Sequence, residues 1–401
     1  MLRRIIKTLW CMILNVLLIC TGVCSFAMTA HGADDETQNT YQSPSYILME
    51  ASTGKVLMEY NADEQRKPAS VTKVMTMLLI FEAIDAGEYT YDDIVTVSAH
   101  AASMGGSQCF FEQGEQQTVS DMIKCIAVAS GNDAAVAMAE YTAGSEEAFV
   151  DLMNEKAKEL GMENTHFVNA CGLDADGHVT SSRDIAIMSR ELIMYHPDVL
   201  DYCGIWMDSI IHKTARGESQ FDLANTNKFL NMYTGATGLK TGYTATAKYC
   251  MSATATRDGV TLIAVIMGAE TKDIRNGEAC SLLDYGFAMC RNYRDENVLT
   301  TESVPVINGT AGSVKIKTSQ IFEAVLLKGE DEALVQKELV LFGDVVAPLK
   351  ENASIGYIEY TVDGRTIGAV EVLAAEDVAR MTFGYAVKHI FANAFFTYND
   401  K

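Results

Sequence analysis

The stretch PASVTKVMTMLLIFEAI, residues 68–84, places a serine and a lysine three positions apart where a strongly apolar segment begins. After Pro68 this segment has no helix-breaking residue, so the pattern predicts a buried helix over residues 68–86. Positions i and i+3 of a helix share a face about 5–6 Å apart, so the Lys73 amine can reach the Ser70 hydroxyl. The pair is a candidate nucleophile with its base.

A second pair with the same spacing, Ser52 and Lys55, lies eighteen residues upstream. One Ser-x-x-Lys pair is weak evidence, because about one is expected by chance in a chain of this length. Apolar and polar residues alternate on both sides of Ser52-Thr53-Gly54, which predicts a β-hairpin with these residues in its turn. Nothing would hold Lys55 against Ser52 in such a turn. We therefore expect Ser70 to be the nucleophile.

A serine hydroxyl is a poor nucleophile unless a neighbouring base removes its proton. A lysine can be that base only when burial or a second cation lowers its pKa. Lys73 lies among apolar residues, and the sequence LKTGYT, residues 239–244, supplies Lys240 on a predicted strand. Gly242 on the same strand would let a substrate approach the backbone. Ser130-Gly131-Asn132, between two predicted helices, adds a hydroxyl and a carboxamide.

The order of the remaining patterns predicts an α+β fold. Amphipathic helices precede adjacent strands between residues 236 and 269, and a further helix follows, which indicates a sheet covered by helices. Short strands separated by Gly, Asn and Asp turns then predict a small all-β domain. The predicted boundaries are 34–294 for the first domain, 295–377 for the β domain and 378–401 for a terminal amphipathic helix.

The N-terminus predicts export. Arg3, Arg4 and Lys7 precede an apolar segment, and small residues and then acidic ones follow. This is the order of a secretory signal peptide, here residues 1–33, with cleavage after Ala27 or a later alanine. An uncleaved membrane anchor is the alternative, because the apolar run could be extended to cross a bilayer.

Composition excludes several classes of protein. The formal charge of −22 argues against a nucleic-acid partner, which requires a basic face. The seven cysteines after residue 33 are scattered and form no C-x-x-C pair, so they predict free thiols rather than a metal site or a disulfide framework. There is no H-E-x-x-H motif either. We expect neither a metal nor another cofactor.

The terminal segment 378–401 leaves two interpretations open. On a helical wheel Phe383, Val387, Ile390 and Phe391 share one face, and Lys388 points away from it. Such a helix could lie in a membrane interface or dock on its own protein.

PASVTK, SGN and KTG resemble the three motifs of the penicillin-recognising serine enzymes, with Ser70, Ser130 and Lys240 separated by 60 and 110 positions. The flanking sequences ASTGKVLMEYNAD, ASGNDAAVAMAE, NACGLDADGHVTSSRDIA, ANTNKFL, TGLKTGYT and GAETKDIR are similar to those of one group. That group is the low-molecular-weight D-alanyl-D-alanine carboxypeptidases of the penicillin-binding-protein-5 type. The resemblance runs from about residue 44 to the C-terminus, including the β domain and the terminal helix.

This resemblance implies a β-lactamase/DD-peptidase-like fold and a role for each motif residue. Ser70 would attack the carbonyl between two D-alanines, Lys73 would be the general base, and Ser130 would relay a proton to the leaving amine. Asn132 would hold the substrate backbone. The terminal carboxylate would be bound by the KTG strand and a nearby arginine: Lys240, Thr241, Gly242 and Arg275. The backbone N–H groups of Ser70 and Tyr243 would form the oxyanion hole.

The resemblance also implies partners and a location. The substrate would be a peptidoglycan stem peptide ending in D-Ala-D-Ala, and β-lactam antibiotics would be covalent inhibitors. The protein would act at the outer face of the cytoplasmic membrane or in the cell wall, held to the membrane surface by segment 378–401.

Two alternatives remain open from the sequence. A β-lactamase-like hydrolase would need a deacylating group, for which Glu163 is the nearest candidate, although its surroundings resemble the carboxypeptidases. A catalytically silent peptidoglycan-binding protein would keep the motifs only as a groove. One residue departs from the family pattern: Lys248 stands where a small residue is common, and a cation there could change substrate preference.

Overall fold

The computed structural model describes residues 41–299 and 301–388. The chain divides into two compact units, Met1–Tyr41 and Gln42–Lys401, and the account below concerns the second. The predicted signal peptide, residues 1–33, lies outside the described residues, so it stays a prediction.

The described residues contain eight α-helices. In chain order they are α1 (Lys73–Asp85), α2 (Ala99–Ala102), α3 (Val119–Lys124), α4 (Asn132–Ala143), α5 (Glu146–Glu159), α6 (Ser182–Tyr195), α7 (Val199–Cys203) and α8 (Lys272–Met289). Single turns of 3₁₀ helix occupy Ala69–Thr72, Lys228–Asn231 and Glu332–Leu334, and a π-helical turn occupies Cys125–Ala129. Among the described helices, none combines the length and the apolar character that a membrane span requires.

The strands fall into two groups. The first comprises β1 (Ser45–Glu50), β2 (Val56–Tyr60), β3 (Ile94–Thr96), β4 (Gln116–Thr118), β5 (Met207–Thr214), β6 (Gly217–Ala224), β7 (Ala236–Thr244), β8 (Lys248–Arg257) and β9 (Val260–Ala269). The second comprises β10 (Cys290–Asp295), β11 (Ser303–Pro305), β12 (Ser313–Thr318), β13 (Phe322–Leu327), β14 (Gln336–Leu341), β15 (Ser354–Val362) and β16 (Arg365–Ala374).

A five-stranded antiparallel sheet in the order β2-β1-β9-β8-β7 forms the centre of the first region. Helices α6 and α8 contact its strands, and α1 contacts α6. The apolar pattern explains α1 directly, since nearly all of its side chains are buried, as expected of a helix that is hydrophobic all round. The predicted α+β fold with an antiparallel sheet covered by helices is confirmed.

The predicted hairpin is also confirmed. Strands β1 and β2 pair with Tyr46 opposite Tyr60, and the turn between them contains Ser52, whose hydroxyl donates to the carboxylate of Glu50. Ser52 and Lys55 are both exposed, and no hydrogen bond joins them among the described residues. The hairpin β5–β6 was not anticipated, because its strands carry few apolar residues and show no clear alternation.

The second region is a small all-β unit with its own core. Its sheet has the order β11-β12-β16-β15-β14, and β10 pairs with β13. The fully buried Tyr360 ring stacks on Phe322 with the ring centroids 3.6 Å apart. Strand β10 follows α8 without a linker and straddles the predicted boundary at 294/295, so the exact boundary stays a prediction.

The predicted terminal helix is described only in part. Residues 383–388 are helical, and residues 389–401 lie outside the described residues. Val378 is buried and forms an isolated bridge with Leu349, so the helix begins later than residue 378.

Candidate active site

Ser70 lies in the 3₁₀ turn Ala69–Thr72 rather than in an α-helical turn. The sequence pattern predicted one continuous helix, and the difference arises at Ala69, whose φ of +49° is outside the right-handed helical region. Gly172 packs directly behind this turn, since a Cβ atom at Gly172 would lie 1.9 Å from the Ala69 carbonyl oxygen. The Thr72 hydroxyl donates to the same oxygen at 2.9 Å. Ser70 thus lies in a tight turn that is held in place by the contacts of Gly172 and Thr72 with the Ala69 carbonyl.

Lys73, the first residue of α1, is fully buried beneath Ser70. Its Nζ donates to Ser70 Oγ at 3.0 Å, to Asn132 Oδ1 at 2.6 Å and to the carbonyl oxygen of Cys171 at 2.7 Å. Burial lowers the pKa of Lys73 to about 8, against a smaller opposing effect of Cys171, Asp133 and Cys109. The amine is therefore in place, and close to the right pKa, to accept the Ser70 proton.

Ser130 and Asn132 join α3 to α4 through an irregular turn. The π-helical turn Cys125–Ala129 ends at Ser130, which adopts a left-handed conformation with φ of +61°. Turns of this kind inside helices occur often at functional sites. The Asn132 side chain points inward, because its Oδ1 accepts from Lys73 and its Nδ2 donates to the Gly105 carbonyl at 2.6 Å. Asn132 orients the lysine here, and its predicted contact with substrate stays a prediction.

The KTG sequence lies on the edge strand β7. Lys240 is buried, its Nζ donates to the Thr241 carbonyl at 2.9 Å, and burial together with the charge of Lys73 lowers its pKa well below the usual value. A Cβ atom on Gly242 would lie 2.9 Å from the Pro68 carbonyl and 2.9 Å from the Ser70 nitrogen. The sequence alone explains this glycine by substrate access, and the structure adds a second reason: β7 packs against the Ser70 turn itself.

Arg275 lies in the second turn of α8 and is largely buried. Its guanidinium donates to Asn276 Oδ1 from Nε at 3.0 Å and from one terminal nitrogen at 2.9 Å. Burial lowers its pKa to about 10. The adjacent Tyr249 ring lies 5.9 Å from the guanidinium carbon and packs against Tyr243, with the two tyrosine ring centroids 4.4 Å apart.

These elements enclose a cleft of about 290 Å³. The predicted residues that line it are Ser70, Ser130, Thr241, Gly242, Tyr243 and Arg275, whereas Lys73, Asn132 and Lys240 lie behind its wall. Six further residues line the cleft and were not singled out from the sequence: Ser107, Thr226, Lys228, Tyr249, Lys272 and Asn276. Thr226 and Lys228 belong to ANTNKFL and Lys272 to GAETKDIR, two stretches that the resemblance already marked.

The segment around Cys171 supports the site and was also missed. The Asn169 side chain accepts from three successive backbone nitrogens, those of Cys171, Gly172 and Leu173, at 3.2, 2.7 and 3.2 Å. This turn points the Cys171 carbonyl at Lys73 and brings Gly172 against Ala69. The Asn followed by Gly three residues later was the available signal, because both residue types favour such turns.

His178 is a buried structural histidine. Its Nε2 lies 2.8 Å from Thr72 Oγ1, and its Nδ1 accepts from the Val168 nitrogen at 2.9 Å. Because the Thr72 hydroxyl donates to Ala69, a neutral ring that carries its proton on Nε2 satisfies all these contacts. Burial lowers the pKa of His178 to about 4, in agreement with a neutral ring.

Two residues raised by the sequence do not line the cleft. Lys248 is the first residue of β8, and its side chain is about half exposed. Its Nζ forms an ion pair with Glu270 Oε2 at 3.6 Å. Glu163, the candidate deacylating group of a β-lactamase, is exposed in the turn after α5. The seven cysteines of the described region are free, as predicted.

The fold and the cleft indicate a serine peptidase, and comparison with known proteins supports this class. The family model described as D-alanyl-D-alanine carboxypeptidase matches residues 32–271, and that described as penicillin-binding protein 5, C-terminal domain, matches residues 292–380. The chain belongs to the D-alanyl-D-alanine carboxypeptidase family. The resemblance drawn from the motifs is thereby confirmed.

Relatives in this family align over nearly the whole chain. The D-alanyl-D-alanine carboxypeptidase DacF of Bacillus subtilis is 40% identical over 92% of this chain and 95% of its own length. DacA of Escherichia coli is 34% identical over 92% of this chain and 94% of its own. The crystal structure of penicillin binding protein 5 from Haemophilus influenzae has a TM-score of 0.65 at 29% identity, covering 85% of this chain and 98% of that one.

Proposed function

We propose that this protein is a serine carboxypeptidase that removes the terminal D-alanine from peptidoglycan stem peptides ending in D-Ala-D-Ala. One observation carries the proposal: the buried amine of Lys73 lies 3.0 Å from Ser70 Oγ at the base of an open cleft. The names of the relatives give the substrate class, and the cleft supports it with the hydroxyl of Thr241 and the cation of Arg275, which suit a terminal carboxylate.

Acylation would begin with neutral Lys73. The Ser70 hydroxyl passes its proton to the amine as its oxygen forms a bond to the carbonyl carbon of the penultimate D-alanine. The negative charge on the carbonyl oxygen is stabilised by the backbone N–H groups of Ser70 and Tyr243. The tight packing of Gly242 against the Ser70 nitrogen supports this pairing, since it brings β7 alongside the serine.

Collapse of the intermediate breaks the peptide bond. The proton held by Lys73 passes through the Ser130 hydroxyl to the nitrogen of the leaving D-alanine, which departs as the free amino acid. A water then attacks the ester carbonyl and gives one proton back to Ser70 by way of Lys73. β-Lactams would enter the same acylation step, because their amide carbonyl replaces the D-alanine carbonyl and their carboxylate replaces the terminal one.

Two other functions are less well supported. A β-lactamase-like hydrolase needs a group that activates the deacylating water, and Glu163 is exposed and does not line the cleft. A silent binding protein has no use for a lysine held fully buried at a lowered pKa, a state that costs stability.

Release of D-alanine tests the proposal. The purified protein is incubated with a pentapeptide ending in D-Ala-D-Ala, beside the variants Ser70→Ala and Ser52→Ala. Ser52 is the matched control, since it has the same Ser-x-x-Lys spacing in an exposed turn. We expect release by the unmodified protein and by Ser52→Ala, and none by Ser70→Ala. No release by the unmodified protein, or equal release by all three, would refute the mechanism.

We also propose that the protein is exported and that its C-terminal segment associates with the outer face of the cytoplasmic membrane. The predicted signal peptide supports export, and the highly exposed Phe383 in the helical residues 383–388 supports an interfacial role. Because Val378 belongs to the β-domain core, the test should delete residues 383–401 and not 378–401. Once residues 1–33 are removed, the truncated protein should no longer sediment with anionic lipid vesicles, whereas the untruncated protein without residues 1–33 should. Undiminished sedimentation would contradict the proposal.

A further inference from the structure

The cleft is positively charged on a strongly acidic protein. Of the side chains that line it, Lys228, Lys272 and Arg275 are cationic and none is acidic, although the chain has a formal charge of −22. The buried Lys240 adds a further amine behind the wall. This concentration exceeds what a leaving D-alanine requires, since that group has a single carboxylate.

Lys228 and Lys272 line the cleft close in sequence to residues near the proposed carboxylate-binding groups. Lys272 precedes Arg275 by three residues on α8, so the two side chains share a helix face. Lys228 follows Thr226 by two residues, and the Thr226 hydroxyl lies 3.3 Å from that of Thr241. Both lysines therefore flank the groups to which the proposed function assigns the terminal carboxylate, which is the leaving-group side of the cleft.

Neither lysine has a structural use in the described part of the chain. Both are exposed and make no ion pair or hydrogen bond there, whereas Lys248 nearby is paired with Glu270. Lys272 is moreover the first residue of α8, where the helix dipole disfavours a positive charge. Arg275 and Lys240, by contrast, already donate to Asn276 and to the Thr241 carbonyl.

We propose that Lys228 and Lys272 form a subsite for a second carboxylate on the leaving group. The protein then prefers substrates in which the released amine belongs to an acidic D-amino acid, or to a peptide that carries further free carboxylates. This inference rests on the proposed function, because it takes the direction of the substrate from the place of the terminal carboxylate.

The test compares three acylated peptides that differ in the last residue, D-Ala-D-Ala, D-Ala-D-Glu and D-Ala-D-Gln. D-Glutamate and D-glutamine have the same shape and differ in charge, so the ratio of their kcat/KM values isolates the second carboxylate. Two exposed ion pairs should favour D-glutamate about three- to tenfold at low ionic strength. The ratio should fall to about one in the double variant Lys228→Met, Lys272→Met, and below one when both lysines become glutamate.

Lys158→Met is the control, because Lys158 is an exposed lysine on α5 that does not line the cleft. It removes one positive charge outside the cleft and should keep the ratio of the unmodified protein. The subsite is refuted if the kcat/KM ratio of the D-glutamate to the D-glutamine peptide is one or less in the unmodified protein. It is also refuted if the double substitution leaves that ratio unchanged. Release of D-alanine from D-Ala-D-Ala in that same experiment leaves the proposed function standing. Absence of release from all three peptides overturns both.

Discussion

Lys73 Nζ lies 3.0 Å from Ser70 Oγ and makes two further hydrogen bonds, to Asn132 Oδ1 and to the Cys171 carbonyl. An ammonium group has three N–H donors, so all three are used in the protonated state. Loss of one proton would leave two donors for the Asn132 and Cys171 oxygens and a lone pair directed at Ser70. The two fixed acceptors therefore orient the amine for proton transfer.

The first prediction concerns pH. Burial lowers the pKa of Lys73 to about 8, and only the neutral amine can accept a proton. Acylation should accordingly rise with pH, by about tenfold between pH 6 and 7, and level off above pH 8. The measurement is the second-order rate of labelling by a penicillin from pH 6 to 9. A rate independent of pH across this range would contradict the role of Lys73.

The second prediction concerns Asn132. Its Oδ1 lies 2.6 Å from Lys73 Nζ, so Asn132→Asp would place a carboxylate against the ammonium and favour its protonated form. The midpoint of the acylation profile should move upward by about 1–3 pH units. Asn352→Asp, at an exposed position of the β domain, is the control and should leave the midpoint in place. An unchanged midpoint in Asn132→Asp would show that this contact does not tune the lysine.

The third prediction concerns Gly172, whose φ is +86° and whose added Cβ would lie 1.9 Å from the Ala69 carbonyl oxygen. Gly172→Ala should abolish penicillin labelling, because the Ser70 turn must move, and should destabilise the fold by more than the roughly 1–3 kcal/mol of backbone strain alone. Gly161→Ala is matched, with φ of +72° and no heavy atom within 4 Å of the added carbon. It should cost about 1 kcal/mol and keep labelling. Thermal unfolding and labelling of both variants check this, and equal behaviour would refute the buttress.

The fourth prediction concerns stability at acid pH. His178 has a pKa of about 4 in the folded protein against an ordinary 6.5, so the unfolded chain takes up the proton first as the pH falls. The neutral His178 therefore contributes to the free energy of unfolding above pH 6.5. This contribution, about 3 kcal/mol, is lost progressively as the pH falls to 4. His178→Gln should therefore show a shallower loss of unfolding free energy between pH 7 and 4.5 in urea titrations.

His100 gives the control of opposite sign. The hydrogen bond to Glu146 raises the pKa of His100 in the folded state. Protonated His100 therefore stabilises the fold at low pH, and this stabilisation disappears as the pH rises. His100→Gln should make the loss toward acid steeper, not shallower. If both variants changed the slope in the same direction, the assignment of a neutral His178 would be wrong.

The sequence was sufficient to distinguish Ser70 from Ser52. Local patterning placed Ser70 at the start of a buried helix and Ser52 in a hairpin turn. The hairpin is confirmed, whereas Ser70 lies in a 3₁₀ turn directly before the buried helix. The motif order then identified the family. These features could be predicted because they depend on residues close in sequence, or on motifs that recur with fixed order.

What the sequence did not reveal depends on contacts between distant segments. The left-handed Ala69 is held by Gly172, about a hundred residues away, and no local pattern signals it. The inward orientation of Asn132 likewise requires the Gly105 carbonyl and Lys73 to meet it. Lys228 and Lys272 are 44 residues apart in the sequence, and no local pattern predicts that they line one cleft.

The central claim is that Ser70 is the nucleophile. Mass spectrometry of the full chain after brief incubation with a penicillin, followed by proteolysis and peptide mapping, tests it most directly. We predict one adduct per molecule, located on Ser70, absent from Ser70→Ala and retained in Ser52→Ala. An adduct on another residue, or no adduct on a folded protein, would contradict the account.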